Sequence, residues 1–236
     1  MKLFVPREVD AAETRVSLLP ADAGKLVRLG AEVEVERGLG DSIHIPDRAY
    51  EKAGAEVSGD RAASLAEADV VLRISAPGDQ DLLNLAEGCV HISYVDPFKN
   101  LELIRKFTDG RVSGISLEMI PRTTIAQKMD VLSSQANLAV ETGGNVEASE
   151  LGKEIDRNGV TIIGRPELER MVPVPASQML SSNLYNLVEH FWHNESKSFR
   201  LDRDDEIMQG CLVTHEGQIV NEAVRAAVAC APNTET

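Results

Sequence analysis

Four polar side chains, Arg122, Gln127, Asp130 and Ser133, form the region of the sequence best suited to chemistry. Gln127, Asp130 and Ser133 are spaced three residues apart, so on a helix they form a polar stripe that drifts slowly around the surface. Arg122 lies just before that helix and could reach the same edge. An amide, a carboxylate, a hydroxyl and a guanidinium together could grip a carboxamide and orient a planar ring. On spacing alone, however, a solvated helix face remains the better explanation.

The helix expected to carry these residues runs from Thr124 to about Glu141. Thr124 can cap its N-terminus, and the run Gly143-Gly144-Asn145 tolerates the left-handed conformation that ends many helices. Apolar residues recur at helical spacing along one side, at Ile125, Met129, Leu132, Ala136 and Ala139. The pattern predicts one continuous helix with a buried stripe.

Other chemical motifs are weak or missing. Gly38 and Gly40 lack the third glycine of a dinucleotide-binding fingerprint, and no P-loop, GxSxG or HExxH sequence occurs. His190 and His193 could touch one metal ion, but surface or packing roles explain them better. The three cysteines are far apart and contain no CxxC pair, which is typical of a reducing compartment. We therefore predict no metal site.

Length, net charge and the lengths of apolar runs limit the classes of protein to which this chain can belong. A chain of 236 residues can form one or two domains, and its net charge of −14 argues against nucleic acid or an anionic membrane as a partner. The sequence has no apolar run of about 18 residues to span a membrane, and no signal peptide is recognised at the N-terminus. The prediction is a soluble cytoplasmic protein.

Short apolar strands alternate with amphipathic helices along the first half of the chain. This alternation predicts an α/β fold: an open, mostly parallel sheet with helices on both faces, in a Rossmann-like or flavodoxin-like three-layer arrangement. The predicted strands are 2–5, 31–36, 68–75, 89–95 and 111–118, and the predicted helices are 21–30, 46–54, 79–88 and 100–110.

The second half predicts a strand at 159–164 and a returning helix at 176–194, followed by a β-hairpin that turns near Gly217. The returning helix should bury Leu180, Leu184, Leu187 and Phe191 on one face. Residues 229–236 are predicted to form a frayed tail. We divide the chain into one α/β domain, 1–195 (1–137 completed by 140–195), and a C-terminal extension, 196–236.

Several motifs in this order resemble one known family. They include "VPRE", "ETRVSLLP", "VLRISAP", "AVETGGNVE", "SSNLYNLVEHF" and above all the highly specific "PRTTIAQKMDVLSSQAN". The chain up to about Asn194 is similar to the NAD(H)-binding domain of the alpha subunit of proton-translocating NAD(P) transhydrogenase. That domain is related to alanine dehydrogenase.

The resemblance implies a role for the four polar residues and also the loss of a central domain. In that family the first of two α/β domains supplies an arginine, glutamine, aspartate and serine to the nicotinamide end of NAD(H), and these match Arg122, Gln127, Asp130 and Ser133. The second, Rossmann domain binds most of the cofactor. Here the flanking segments are fused at about residues 139–140, so a central domain of about 150 residues is missing.

The loss has a physical consequence for binding. A Rossmann turn and its helix N-terminus normally hold the pyrophosphate. Contacts to the nicotinamide ring alone can hardly offset the entropy of association, so NAD(H) binding is expected to be weak or absent. On sequence grounds this slightly favours the four residues being a relic of cofactor contact.

The implied activity is hydride transfer between NADH and NADP+, coupled to proton translocation in the intact complex. The isolated chain is not expected to be a competent oxidoreductase, and transhydrogenase membrane and NADP(H)-binding subunits are the implied partners. Through them the chain could lie at the inner membrane, and a homo-oligomer stays open. A non-catalytic assembly or binding module of such a complex is the main alternative.

An alanine-dehydrogenase-like enzyme is a further, less favoured alternative. That family uses a lysine and a histidine on the substrate side, at positions that match Arg73 and Asp96 here. Neither is retained, although Arg15 is. An aspartate at that position would repel a carboxylate substrate.

Overall fold

One large sheet organises the protein. The computed structural model describes residues 1–131, 153–157, 160–163 and 173–230. The strands in chain order are β1 (Lys2–Val5), β2 (Glu32–Glu36), β3 (Glu56–Ser58), β4 (Val70–Leu72), β5 (Val90–Ser93), β6 (Ser113–Ser116), β7 (Glu154–Arg157), β8 (Val160–Ile163), β9 (Trp192–His193), β10 (Ser198–Phe199), β11 (Leu212–His215) and β12 (Gln218–Ile219).

Helices connect most of these strands. They are α1 (Pro20–Leu29), α2 (Asp47–Lys52), α3 (Arg61–Glu67), α4 (Asp79–Leu82), α5 (Leu101–Asp109), α6 (Pro173–His190), α7 (Glu206–Cys211) and α8 (Glu222–Cys230), and 3-10 helices occur at Asp41–Ile43, Leu117–Met119 and Ala126–Lys128. The predicted alternation of strands and helices over the first half is confirmed. The sequence patterns missed α3, α7 and most of α8.

The sheet has eight strands in the order β12-β11-β6-β5-β4-β1-β2-β3. Strands β1 to β6 pair in parallel, and β11 joins β6 antiparallel. The parallel region has the 3-2-1-4-5-6 order of a doubly wound fold, which confirms the predicted class. Its strand order reverses between β1 and β4, and ligands of such sheets bind at this point, outside the carboxyl ends of the strands.

Local sequence explains the helix that follows β1. Helix α1 begins with Pro20, whose fixed φ suits a first helical position, and ends at Gly30, which has a φ of 97°. Its face packs on α6, where Leu180, Leu184 and Leu187 are fully buried. The predicted apolar face is thereby confirmed for these three leucines, whereas the helix ends at His190, before Phe191, and the predicted end at 194 is wrong because Trp192–His193 form β9. This packing fastens the returning segment to the domain built from residues 1–131.

The predicted hairpin is also confirmed. Strands β11 and β12 are joined by Glu216 and Gly217, whose φ angles of 48° and 76° are those of a tight hairpin turn. The hairpin extends the edge of the main sheet, with Leu212 opposite Ile115. Ala229 and Cys230, which the sequence assigned to a frayed tail, are instead the last residues of α8. Residues 231–236 lie outside the described residues.

The predicted helix from Thr124 is wrong for residues 124–130, and within the described residues only Val131 of the predicted helix is helical. The chain forms a 3-10 helix at Ala126–Lys128 instead, and Ile125, expected in the buried stripe, is 60% exposed. Thr123, not Thr124, caps the turn: its Oγ1 accepts the N–H of Ala126 at 3.3 Å and its backbone O that of Gln127 at 3.1 Å. Local side-chain capture of this kind competes with regular helix. Residues 132–152, which include the junction, lie outside the described residues.

No helix within the described residues combines the length and the apolar character needed to cross a membrane.

A buried charged network fills the point where the strand order reverses. Arg73, immediately after β4, is 1% exposed; its Nη1 bonds Asp81 Oδ2 at 2.7 Å and its Nη2 lies 3.3 Å from Glu8 Oε2. Glu8 also accepts the N–H groups of Ile74 and Ser75, at 2.7 and 3.1 Å. One guanidinium thus joins the loop after β1 to the loop after β4 and to α4.

Arg61 at the start of α3 extends the network. It bonds both oxygens of Asp81, at 2.7 and 2.6 Å, and reaches Glu36 Oε2 at the end of β2 at 2.5 Å. Burial alone would raise the pKa of Asp81, but Arg61 and Arg73 outweigh it and hold that pKa below its ordinary value. Asp81 therefore stays ionised inside the fold.

A buried histidine lies near the same network. His91 on β5 is 1% exposed, its ring packs 5.3 Å from that of Phe107, and its Nε2 has no hydrogen-bond partner among the residues that the structure describes. Burial, reinforced by the charge of Arg73, lowers the pKa of His91 to about 3. The ring is therefore neutral in the folded protein at ordinary pH.

Removing the arginine should destabilise the fold strongly. In Arg73→Met, Glu8 and Asp81 lose a shared cation, and breaking a buried pair this way costs about 3–5 kcal/mol. We expect that loss in the free energy of unfolding from urea titration. The exposed Arg48 supplies the control, since Arg48→Met should change stability by no more than about 0.5 kcal/mol. Equal effects of the two substitutions would contradict a structural role for Arg73.

His91 predicts a specific dependence of stability on pH. Because its pKa is near 3 in the folded protein and 6.5 ordinarily, the unfolded chain takes up a proton that the folded one refuses. Stability is therefore complete above pH 6.5 and falls below it, by about 1.4 kcal/mol per pH unit at most. Between pH 6 and pH 5, His91→Gln should remove about 1 kcal/mol of this loss. Identical slopes of urea-derived stability for both proteins would refute the assignment.

Candidate functional site

The candidate site lies at the carboxyl edge of the parallel sheet. The loops that follow β1, β4, β5 and β6 all emerge at this edge because the strands are parallel. The polar segment singled out in the sequence begins directly after β6, with the 3-10 helix Leu117–Met119, and continues past Pro121 to the 3-10 helix Ala126–Lys128. We call residues 121–131 the site segment. It lies at the same carboxyl edge as the point where the strand order reverses, with β5 between β6 and β4.

The structure separates the predicted site residues by exposure. Arg122 and Gln127 are exposed, whereas Asp130 is only 8% exposed. Ser133 lies outside the described residues. Since Gln127 is in a 3-10 helix and Asp130 follows its end, the two do not form the expected stripe along one α-helix. The segment offers a guanidinium and an amide to solvent, and keeps a carboxylate inside.

The returning helix holds the site segment in place. Asn183 and Asn186, both on α6, donate their side-chain amides to the backbone oxygen of Lys128, at 2.8 and 3.0 Å. Met129 donates its N–H to Ala126 O at 2.8 Å, closing the 3-10 turn. A carbonyl of the site segment is thereby fixed by side chains that come from the other side of the junction.

The same helix also holds the loop that carries Arg15. Ser177 Oγ accepts the N–H of Val16 at 2.8 Å, and Ser181 Oγ accepts the N–H of Leu19 at 2.9 Å. Arg15 is 6% exposed and pairs with Glu13 at 2.6 Å. This loop borders a cleft of about 430 Å³ between the ends of β1 and β2.

A half-buried carboxylate ties the next two loops together. Glu118, after β6, accepts the N–H of Val95 at 3.3 Å and makes a short hydrogen bond from the N–H of Asp96, both after β5. Burial raises the pKa of Glu118 above its ordinary value. Asp96 adopts a left-handed φ of 47°, and its side chain pairs with Lys99 at 3.1 Å. Asp96 thus sits at the carboxyl edge as a half-buried acid.

The histidines do not form a metal site within the described residues. His190 ends α6 and lies 3.1 Å from Asp205, while His193 is on β9 and contacts Ser196 at 2.9 Å. Among the residues that the structure describes, no group of three or more potential ligands is close enough to hold a metal ion.

Sequence reasoning missed the residues that position the site: Glu8, Arg61, Asp81, Asn183 and Asn186. "VPRE" and "SSNLYNLVEHF" were recognised only as matching motifs. One signal was available for the asparagines, since two amides three residues apart on a helix lie on one face. Their acceptor, 55 and 58 residues away, could not be read from spacing.

Two sequence profiles of known protein families match this chain. A sequence profile described as "Alanine dehydrogenase/PNT, N-terminal domain" matches residues 4–139, and one described as "Alanine dehydrogenase/PNT, C-terminal domain" matches residues 112–222. The two matches overlap at residues 112–139, which contain the site segment.

The chain is also similar to individual transhydrogenase alpha subunits and alanine dehydrogenases. The chain is 36% identical to the "NAD(P) transhydrogenase subunit alpha" of Cereibacter sphaeroides over 150 residues, 61% of this chain and 29% of that protein. It is 26% identical to the alanine dehydrogenase of Bacillus subtilis over 170 residues, 72% of this chain and 44% of that enzyme. The chain thus spans less than half the length of either relative.

Solved structures share the fold. The crystal structure of transhydrogenase from Sinorhizobium meliloti superimposes with a TM-score of 0.79 at 23% identity, covering 93% of this chain and 100% of that one. The profile of the N-terminal domain covers more than half of the chain. By this match the chain belongs to the alanine dehydrogenase/PNT family.

Proposed function

We propose that the chain is one component of a hydride-transfer assembly related to the NAD(P) transhydrogenase alpha subunit. In this proposal its site segment contacts the nicotinamide end of an NAD(H) molecule held by a dinucleotide-binding domain on another chain. Membrane and NADP(H)-binding subunits would be its further partners. The isolated chain would not transfer hydride.

The observation that carries the proposal is the exposure of Arg122 and Gln127 on a segment that is firmly held. Both side chains reach solvent at the carboxyl edge, and the backbone beside them is fixed by α6. Gln127 makes no side-chain hydrogen bond among the described residues. An amide and a guanidinium available in this way fit the carboxamide and ring of a nicotinamide. A mere relic would have no need of this bracing.

The place where the strand order reverses does not fit a dinucleotide phosphate. There the carboxylate of Glu8 already accepts the N–H groups of Ile74 and Ser75 and pairs with Arg73. Helix α1 starts only at Pro20, well after β1 ends at Val5, so no helix N-terminus follows the strand closely. A negative charge in that position would repel a pyrophosphate. This supports the need for a second domain to bind most of the cofactor.

The burial and ion pairs of Arg73 argue against alanine-dehydrogenase-like chemistry. The residue stands where that family uses a substrate-binding lysine, yet here it is 1% exposed and bonded to Glu8 and Asp81. Asp96 is a half-buried acid, paired with Lys99, at the position matched to the family's histidine. Neither group would bind a carboxylate substrate.

The affinity of the isolated chain for NADH tests the proposed division of labour. Without a phosphate-binding turn, the dissociation constant should be weaker than about 1 mM, or about −4 kcal/mol of binding free energy. Titration calorimetry measures this directly. A micromolar constant would mean that this chain binds the dinucleotide by itself, and would favour an enzyme that acts alone.

Gln127→Ala tests whether the site segment serves the cofactor. The side chain is exposed, so the free energy of unfolding should change by no more than about 0.5 kcal/mol. Hydride transfer in a complex reconstituted with the membrane and NADP(H)-binding subunits should nevertheless fall about tenfold, the equivalent of one lost hydrogen bond. Gln178→Ala, at an exposed amide on α6, is the matched control and should change neither quantity.

The same variant separates the alternatives. Unchanged transfer in Gln127→Ala would favour a non-catalytic assembly module with a relic site. A fall in stability of about 1 kcal/mol or more would instead indicate that Gln127 braces its own loop.

A further inference from the structure

Two asparagines on α6 share a single acceptor. Asn183 and Asn186 each donate a side-chain N–H to the backbone oxygen of Lys128, at 2.8 and 3.0 Å. A carbonyl oxygen has two lone pairs, and both are used here. Residues three apart on a helix face the same way, which lets both amides converge on one atom. The convergence is a tertiary contact, since the partners lie 55 and 58 residues apart.

This contact sets the orientation of the site segment. Lys128 is the last residue of its 3-10 helix, directly after Gln127 and two residues before Asp130. Because the peptide unit is planar, fixing the direction of the Lys128 carbonyl also fixes the N–H of Met129. The backbone N–H of Gln127 is held separately by Thr123 O at 3.1 Å. Gln127 is therefore held on both sides while its side chain stays exposed.

Helix α6 fixes a second segment as well. Its buried Ser177 and Ser181 accept the N–H groups of Val16 and Leu19, in the loop that carries Arg15. A helix is a rigid element, so bonds from one helix to both segments fix the spacing between them. Positional errors of about 1 Å in such a site cost about a hundredfold in rate.

We propose that Asn183 and Asn186 are positioning residues, which aim Gln127 at the nicotinamide end of the cofactor through the carbonyl of Lys128. The functional half of this inference rests on the proposed function. The mechanical half, that the two amides order the site segment, can be measured on the chain alone.

Hydrogen exchange tests the mechanical half. Asn186→Asp keeps the shape of the side chain but replaces a donor with a negatively charged acceptor that repels Lys128 O. Exchange at the N–H groups of Gln127 and Met129 should become at least about tenfold faster, with β1 and β4 unchanged. Asn186→Gln keeps an amide donor on a longer side chain and should retain most of the wild-type protection against exchange. Gln178→Ala on the same helix should leave every rate unchanged.

Hydride transfer in the reconstituted complex tests the functional half. Asn186→Asp should lower kcat/KM about as much as Gln127→Ala does, and Asn186→Gln should recover most of it. The double variant Asn186→Asp/Gln127→Ala should lose no more than either single variant, since one residue acts through the other. Asn186 is chosen because it is less buried than Asn183, so its variants should fold.

The outcomes separate the two proposals. Unchanged exchange at Gln127 and Met129 in Asn186→Asp overturns the inference whatever the transfer assay gives. Additive losses in the double variant overturn it too, because the two residues would then act independently. Normal transfer by Gln127→Ala overturns the proposed function instead, and the exchange rates alone then decide whether the asparagines order the segment.

Discussion

A single buried cation holds the carboxyl edge of this sheet together. Arg73 emerges from β4 where the strand order reverses, and its guanidinium reaches Glu8 after β1 and Asp81 on α4. A charge removed from water is tolerable only when its partners are close and well aimed. The loops that carry these partners must therefore keep their places, and they frame the edge at which the other loops meet.

The buried charged network also bears on where this domain could bind a dinucleotide. Its strand order is that of dinucleotide-binding folds, yet the place where a pyrophosphate would lie is filled by the carboxylate of Glu8. The chain keeps the scaffold of a nucleotide-binding domain and closes its usual site. The loop after β6, which β5 separates from this place, exposes Arg122 and Gln127 at the same edge of the sheet.

That loop depends on the segment of the chain that returns after the junction. Helix α6 buries Leu180, Leu184 and Leu187 against the first domain, and its polar side chains bond the backbone of two loops. Apolar burial supplies the stability of the docking, about 1.5–3 kcal/mol for each leucine. The serine and asparagine bonds supply the orientation. Helix α6 was predicted only to complete the domain, but its side chains also set the geometry of the loop after β6.

The sequence by itself determined the fold class, because the alternation of strand and helix patterns depends on local spacing, and it placed β1 on residues 2–5 and the apolar face of α6 correctly. It also singled out the site segment through a specific motif. The tertiary structure alone decided that Thr123 caps a 3-10 turn where an α-helix was predicted, since capping depends on which side chain captures the backbone. It alone revealed the partners of Arg73 and of Lys128. Those contacts join residues far apart in the chain, and no periodicity encodes which buried charge or amide will meet which acceptor.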